Sequence, residues 1–307
     1  MRAFVLDGFD AQPALRDDLP EPRAEDGRLR VRVHASSVNP VDVFVASGAL
    51  RDMAEHDFPV TIGRDFAGVV DQVGSGVTRY EPGDAVFGML LHANPAVHEG
   101  TWAELITVPE DNFVAAKPAG AELAAAGAAP VAALTALAAF DALAPAAGET
   151  VLVVGAPGGV GSFFVQLAAA AGAEVAAPAL PEDHDYLRGL GVGELLHRNA
   201  DLAATVRAAH PDGVDAILDV VSREPDTSVL KKGGRLASPL GAAGEGAGRF
   251  NVGGQPTPEN LERLGELLES GALRVPVQRT YTLDEAGDAL QALPATHSQG
   301  KLALTIA

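Results

Sequence analysis

The chain has 307 residues, 47% hydrophobic and 21% charged, enough to bury one large core or two moderate ones, and the length favours two domains. Its 41 acidic against 22 basic side chains give a formal charge of −19, which argues against nucleic acid or an anionic membrane surface as a partner. There is no cysteine, so disulfides and thiolate metal sites are excluded.

The opening "MRAFVLDGFD" lacks the apolar centre of a secretory signal. No segment reaches about 18 uninterrupted apolar residues, so no membrane span is expected and the default location is the cytoplasm. Residues 1–117 read as β-rich, with short alternating runs such as "RLRVRVHAS" and "DFAGVVDQVGSGV" punctuated by Gly and Pro. From residue 118 the texture changes, and "AELAAAGAAPVAALTALAAFDAL" is an Ala-rich helical stretch. Apolar strands then alternate with helices. "TVLVVGA", "AEVAAPA", "DAILDVV" and "GRLASPL" read as strands, and Ser162–Ala171, Asp185–Leu190 and Asp201–His210 as helices. That alternation predicts βαβ units on a parallel sheet. "LGAAGEGAG" reads as a loop. "PENLERLGELLESGAL" is a helix with Leu261, Leu264, Leu267 and Leu268 on one face, and "GKLALTIA" a final strand.

The segment "VLVVGAPGGVGSFFVQLAAAAGAEV" places a Gly-rich turn, Gly155–Gly161, between a strand and a helix. Gly158 would let the backbone approach a pyrophosphate, and Gly161 would let helix and strand pack closely. The N–H groups of Gly159, Val160 and the first helical turn would face the anion. The G-x-G-x-x-G pattern is broken at Ala156, and a plain tight βα turn is the competing reading. An NAD-type site wants an acidic residue about 20 positions on. The strand "AEVAAPA" ends without one, which favours NADPH, with NADH as the alternative.

"GAPGGVGSFFVQLAAAAGA", "SSVNPVD", "FPVTIGRDFAGVV", "VGSGV", "PGDAVFG", "GTWAELITV", "ALTA", "DGVDAILDVV", "KKGGRLAS" and "HSQGKLAL" follow one another in an order that resembles the medium-chain dehydrogenase/reductase superfamily. The likeness is to its zinc-independent quinone oxidoreductase and enoyl reductase branch and covers essentially the whole chain. It implies an α/β fold: a doubly wound Rossmann sheet (118–272) inserted into a GroES-like β-barrel domain (1–117 plus 273–307), with the cleft at their junction. It also implies a homodimer, and coenzyme contacts at Gly155, Ala156, Pro157, Gly158, Gly159, Val160 and Leu240. Asn39 and Thr135 fall near the nicotinamide and its ribose, although Asn39 before Pro40 also suits a plain turn. Asp42 reads as structural.

Zinc-dependent relatives need thiolate and imidazole ligands. Here the corresponding positions read Ser37 and Gly63-Arg64-Asp65, so no metal is expected. Without it, the hydride donor supplies the reactivity and the protein orients and stabilises charge. Hydride addition to the β-carbon of a carbonyl-activated alkene, or to a quinone, fits that chemistry, with Asn39 or a backbone N–H holding the enolate oxygen. The alternatives are an enoyl-thioester or polyketide-tailoring reductase, and a nucleotide-binding protein with little turnover. Relatives carry a Ser and a basic residue at a 2′-phosphate site where this chain has Leu180 and Glu182, and a basic residue near Ala46 is also missing. Arg198, aligned with a Tyr of relatives, is the substitute, being a better bidentate phosphate partner than Tyr. Tyr186 and Arg188 are weaker candidates on a helix face. His92 and His98 fall in a cleft loop as candidate proton donors beside a solvated-loop reading, and His34 reads as structural. Phe87, Met89 and Trp102 are expected to line an apolar pocket, or else to be core.

Overall fold

The computed structural model describes residues 1–91, 96–198, 201–295 and 297–307. The N-terminal region holds the short strands β1 (Ala3–Leu6), β2 (Ala14–Arg16) and β3 (Arg28–Val38), then helix α1 (Pro40–Ala46). Strands β4 (Val60–Thr61), β5 (Asp65–Val73), β6 (Ala85–Met89), β7 (Leu105–Pro109) and β8 (Val114–Ala116) follow. The alternation of "RLRVRV" is realised in β3, where Leu29, Val31 and Val33 are fully buried and the intervening arginines are not. This strand is the hub of the region, pairing antiparallel with β5 and β7.

The Ala-rich stretch is two helices, α2 (Leu123–Ala128) and α3 (Pro130–Leu143). Pro130 separates them. It cannot donate an N–H to the preceding turn, but it suits the first position of a new helix. The backbone N–H of Val131, in that first turn, donates to the Asp65 carboxylate of β5 at 2.6 Å, so a side chain from the barrel caps a helix outside it.

Next come β9 (Thr150–Val154), α4 (Gly159–Ala170), β10 (Glu174–Ala179), α5 (His184–Leu190), β11 (Glu194–His197), α6 (Leu202–Ala209), β12 (Val214–Asp219), β13 (Leu230–Ser238), β14 (Arg249–Asn251) and α7 (Pro258–Glu269). Their strands form one parallel sheet in the order β11-β10-β9-β12-β13-β14. β9 therefore has β10 on one side and β12 on the other, the switch point at which doubly wound sheets open a crevice beyond their carboxyl ends. On α7, Leu261 and Leu264 are fully buried and Leu267 and Leu268 pack against the same core. The chain closes with β15 (Val277–Thr282), α8 (Ala286–Ala295) and β16 (Lys301–Thr305). β16 pairs antiparallel with β3, returning the C-terminus to the first sheet.

Three apolar clusters hold these layers: one inside the barrel, and one on each face of the parallel sheet. Phe87 and Met89 of β6 join the cluster of α3, α4 and α7, and Phe87 lies against Gly265 of α7. Trp102 is fully buried in the barrel, beside Phe4, and its indole N–H donates to the Ser37 carbonyl. The expected apolar pocket lined by these three side chains is not formed. They are packed core, and the first two seal the junction between barrel and sheet.

Candidate active site

β9 ends at Val154 and the chain reverses into α4 through Gly155–Gly158. Gly155 has φ +92°, a left-handed conformation that a side chain resists. A Cβ on Gly161 would lie 2.2 Å from the Gly155 carbonyl oxygen, so this position admits only glycine if helix and strand are to stay in contact. A Cβ on Gly158 would meet only that same oxygen, at 3.6 Å, so the loop is open on this side. The Gly158 N–H turns inward to Gly155. The N–H groups of Gly159, Val160 and Gly161 belong to the first turn of α4, where no intrahelical acceptor exists, and the helix dipole adds positive potential there. A backbone cradle for a pyrophosphate is thus present, and the residues fit a dinucleotide.

The loop is tied to β16. The Gly300 N–H donates to the Pro157 carbonyl at 2.7 Å, and Gly158 and Gly300 form a parallel bridge. A Cβ on Gly159 would lie 3.1 Å from Cδ of Lys301. The Lys301 side chain runs from there into a buried charged cluster. Its ammonium donates to Asn39 Oδ1 at 2.5 Å and stands 3.6 Å from Asp65. Asp65 also accepts from Ser37 Oγ at 2.5 Å and Asn39 Nδ2 at 2.9 Å. Next to it the Asn39 N–H donates to Asp42 Oδ2, and Asp42 faces the Arg64 guanidinium at 4.0 Å. Arg64 Nη1 donates to the carbonyls of Glu99 and Leu91, while Arg64 Nε, Nη2 and Asp42 Oδ1 have no hydrogen-bond partner among the described residues. Burial pushes the Asp42 carboxyl up to about 7 against the opposing pull of Arg64, and burial also lowers Arg64 and Lys301.

Asn39 therefore has both ends of its amide engaged, and it is 2% exposed. The Thr135 hydroxyl donates to the Val131 carbonyl at 2.7 Å and accepts from the Gly254 N–H at 3.2 Å. Leu240 is exposed just beyond β13. Arg198 is exposed one residue beyond β11, with its N–H on the Ala179 carbonyl. Tyr186 is half-buried against the core and Arg188 lies on the exposed face of α5. His98 lines a cavity of about 260 Å³ with Met1, Leu19 and Ile106, and no residue of the Gly-rich loop lines it. His92 lies outside the described residues. His34 is half-buried in β3.

Two families of known domains match the chain: the alcohol dehydrogenase GroES-like domain over residues 25–119, and zinc-binding dehydrogenase over residues 190–304. The 2-methylene-furan-3-one reductase of Solanum lycopersicum is 30% identical over 94% of this chain and 74% of its own length. The chain belongs to the medium-chain dehydrogenase/reductase superfamily. Within it, the solved quinone oxidoreductase from Coxiella burnetii superposes with a TM-score of 0.88 at 29% identity, covering 100% of this chain and 99% of that one. The pikromycin polyketide synthase component PikAII of Streptomyces venezuelae is 34% identical over 98% of this chain, which spans only 8% of that protein. This member of the superfamily is thus an oxidoreductase of the nicotinamide-dependent type, with a Rossmann sheet inserted into a GroES-like barrel.

Zinc does not fit the donors present. Among the described residues no three of His, Asp or Glu converge, and cysteine is absent. The carboxylates of Asp65 and Asp42 face a lysine and an arginine instead. Sequence reasoning missed Lys301, read only as the start of a strand, and also Asp183 and His297. The last two form a contact between a turn after β10 and the segment before β16.

Proposed function

We propose that the chain is an NADPH-dependent, zinc-independent reductase of quinones or of the C=C bond of α,β-unsaturated carbonyl compounds. The observation that supports this reading is the Lys301–Asn39–Asp65 cluster beside the Gly-rich loop: organic cations stand against the acidic groups, and among the described residues no set of metal donors faces them. Oxidising a simple alcohol requires the developing alkoxide to be stabilised, a task for a Lewis acid in metal-dependent enzymes. Reducing a conjugated acceptor places the new charge on a carbonyl oxygen, which a neutral hydrogen-bond donor can hold. Bound NADPH supplies the hydride. The loop 155–160 holds its pyrophosphate, Leu240 borders its path, and Arg198 takes its 2′-phosphate. Asn39 and Thr135 serve the nicotinamide end. Because their polar atoms are already engaged, we assign them to holding that end of the site rigid. Residues 118–272 then form the nucleotide-binding unit, and 1–117 with 273–307 the catalytic unit, of a cytoplasmic homodimer. β14, paired on one edge among the described residues, offers its other edge to a second copy.

Steady-state rates decide the reaction. NADPH oxidation with but-3-en-2-one and 1,4-benzoquinone is expected to exceed NADP⁺ reduction with ethanol or benzyl alcohol, and the opposite order would overturn the reading. One tightly held zinc per chain after desalting would overturn zinc independence. Asn39→Ala should lower turnover more than NADPH affinity.

A second reading rests on the match to the polyketide synthase component along nearly the whole chain. It assigns enoyl thioesters as substrates, and a higher kcat/KM for crotonyl-pantetheine than for free enones would select it.

A further inference from the structure

The carboxyl edge of the parallel sheet carries a second built feature, two strands from the Gly-rich loop. β10 and β11 end side by side, and Arg198 emerges exposed at that edge. In dinucleotide-binding sheets the adenosine ribose lies past the second strand, here β10. The turn after β10 contains two acidic residues, the exposed Glu182 and Asp183, whose side chain is fully buried. Asp183 accepts from His297 Nε2 at 2.7 and 2.9 Å, from Gln299 Nε2 at 3.0 Å and from the Leu180 N–H at 3.2 Å. A carboxylate so occupied cannot take a ribose hydroxyl. Burial pushes Asp183 up, but the hydrogen bonds outweigh it and hold the group below the ordinary range, so it is ionised.

An ionised carboxylate only accepts, so the proton of a neutral His297 sits on Nε2. Its Nδ1 is then an acceptor, and Arg198 Nη1, which can only donate, stands 3.4 Å from it. One proton assignment satisfies all three groups. Among the described residues the contact uses one of five guanidinium N–H groups, and the guanidinium fork suits a bidentate anion. His297 is itself held, since Gln278 of β15 donates to its carbonyl and accepts from the Gln299 N–H. An exposed arginine alone would lose rotamer freedom on gripping a ligand, and a preset contact reduces that loss.

We infer that Asp183 and His297 are positioning residues that aim Arg198 at the 2′-phosphate of the coenzyme. Coenzyme preference is then set in part by the C-terminal segment, outside the parallel sheet. The inference rests on the proposed NADPH reading. Glu182, exposed on the same turn, opposes a phosphate, which makes the placement of Arg198 more consequential.

The test measures Kd for NADPH, NADH and adenosine 2′,5′-bisphosphate. Arg198→Ala is expected to weaken NADPH and the bisphosphate by about 10- to 150-fold, the loss of a charged hydrogen bond, and to leave NADH unchanged. If NADPH is unaffected, the assignment of its phosphate to Arg198 fails. His297→Gln keeps a donor for Asp183 at the Nε2 position but leaves no acceptor at the Nδ1 position that faces Arg198. It should weaken NADPH about 3- to 10-fold without changing NADH affinity or Tm, and should add nothing in an Arg198→Ala background. An equal loss for both coenzymes, or full additivity with Arg198→Ala, would overturn the relay while leaving the NADPH reading standing. Should His297→Gln lower Tm, Asp183→Asn serves instead: it perturbs the ring tautomer in place, and the same NADPH-selective loss is expected, with equal losses again overturning the relay.

Discussion

The Gly-rich loop and the charged cluster beside it are built on opposite principles. The loop is backbone: its donors are N–H groups of consecutive residues, and its shape depends on side chains being absent at Gly155 and Gly161. The cluster is held mainly by side chains. Ser37, Asn39, Asp42, Arg64, Asp65 and Lys301 come from different elements, and their charges are stable only because each faces another. A backbone site survives most nearby substitutions but not added volume. A buried charged site survives volume changes better than the loss of one partner.

The largest expected effect breaks the first half of this contrast. Gly158→Val should abolish NADPH binding while leaving the thermal transition near wild type, because its Cβ meets no close protein atom and its φ of −73° is open to any residue. Retained affinity would show that the loop is not the phosphate cradle. Lys301→Met breaks the second half. It leaves Asp65 buried without its cation, and denaturant unfolding should show a loss of about 3–5 kcal/mol. Adding Asp65→Asn to Lys301→Met should restore part of that loss, and an unrecovered double variant would argue against charge as its cause.

Gly161→Ala is intermediate. Its methyl group meets backbone atoms, so stability should fall by about 1–3 kcal/mol, the opposite pattern to Gly158→Val. Asp42→Asn sharpens the comparison through pH. The folded-state value of about 7 lies above the unfolded 3.8, so folding favours the protonated acid. Stability from this group is present below pH about 4 and is lost as pH rises to about 7. The variant lacks that titration, so its Tm relative to wild type should climb between pH 4 and 8, and a flat difference would refute the assignment. The smallest effect lies at the rim of the coenzyme edge. Glu182→Gln should tighten NADPH by no more than about five-fold, and less at high salt, since exposed charges interact weakly.

The sequence by itself determined much of the scaffold. The β9-to-α4 turn was legible because glycine answers a local need for close approach and left-handed backbone, and that need is written at the residue that meets it. The strands β9, β10, β12 and β13 and the leucine face of α7 were legible from their apolar periodicity. The short strands β11, β14 and β15 were not, because a few residues of weak pattern are fixed by their neighbours rather than by their own composition. The Ala-rich stretch looked like one helix, yet Pro130 and the Asp65 cap divide it. Tertiary structure alone decided that Phe87, Met89 and Trp102 are core, that Lys301 meets Asn39 across 262 residues, and that His297 meets Asp183 across 114. Hydrogen bonds and charge pairs act over a few ångströms of space and carry no trace of chain separation, so a lysine that opens a strand and a histidine in a loop look alike in sequence until the fold brings their partners to them.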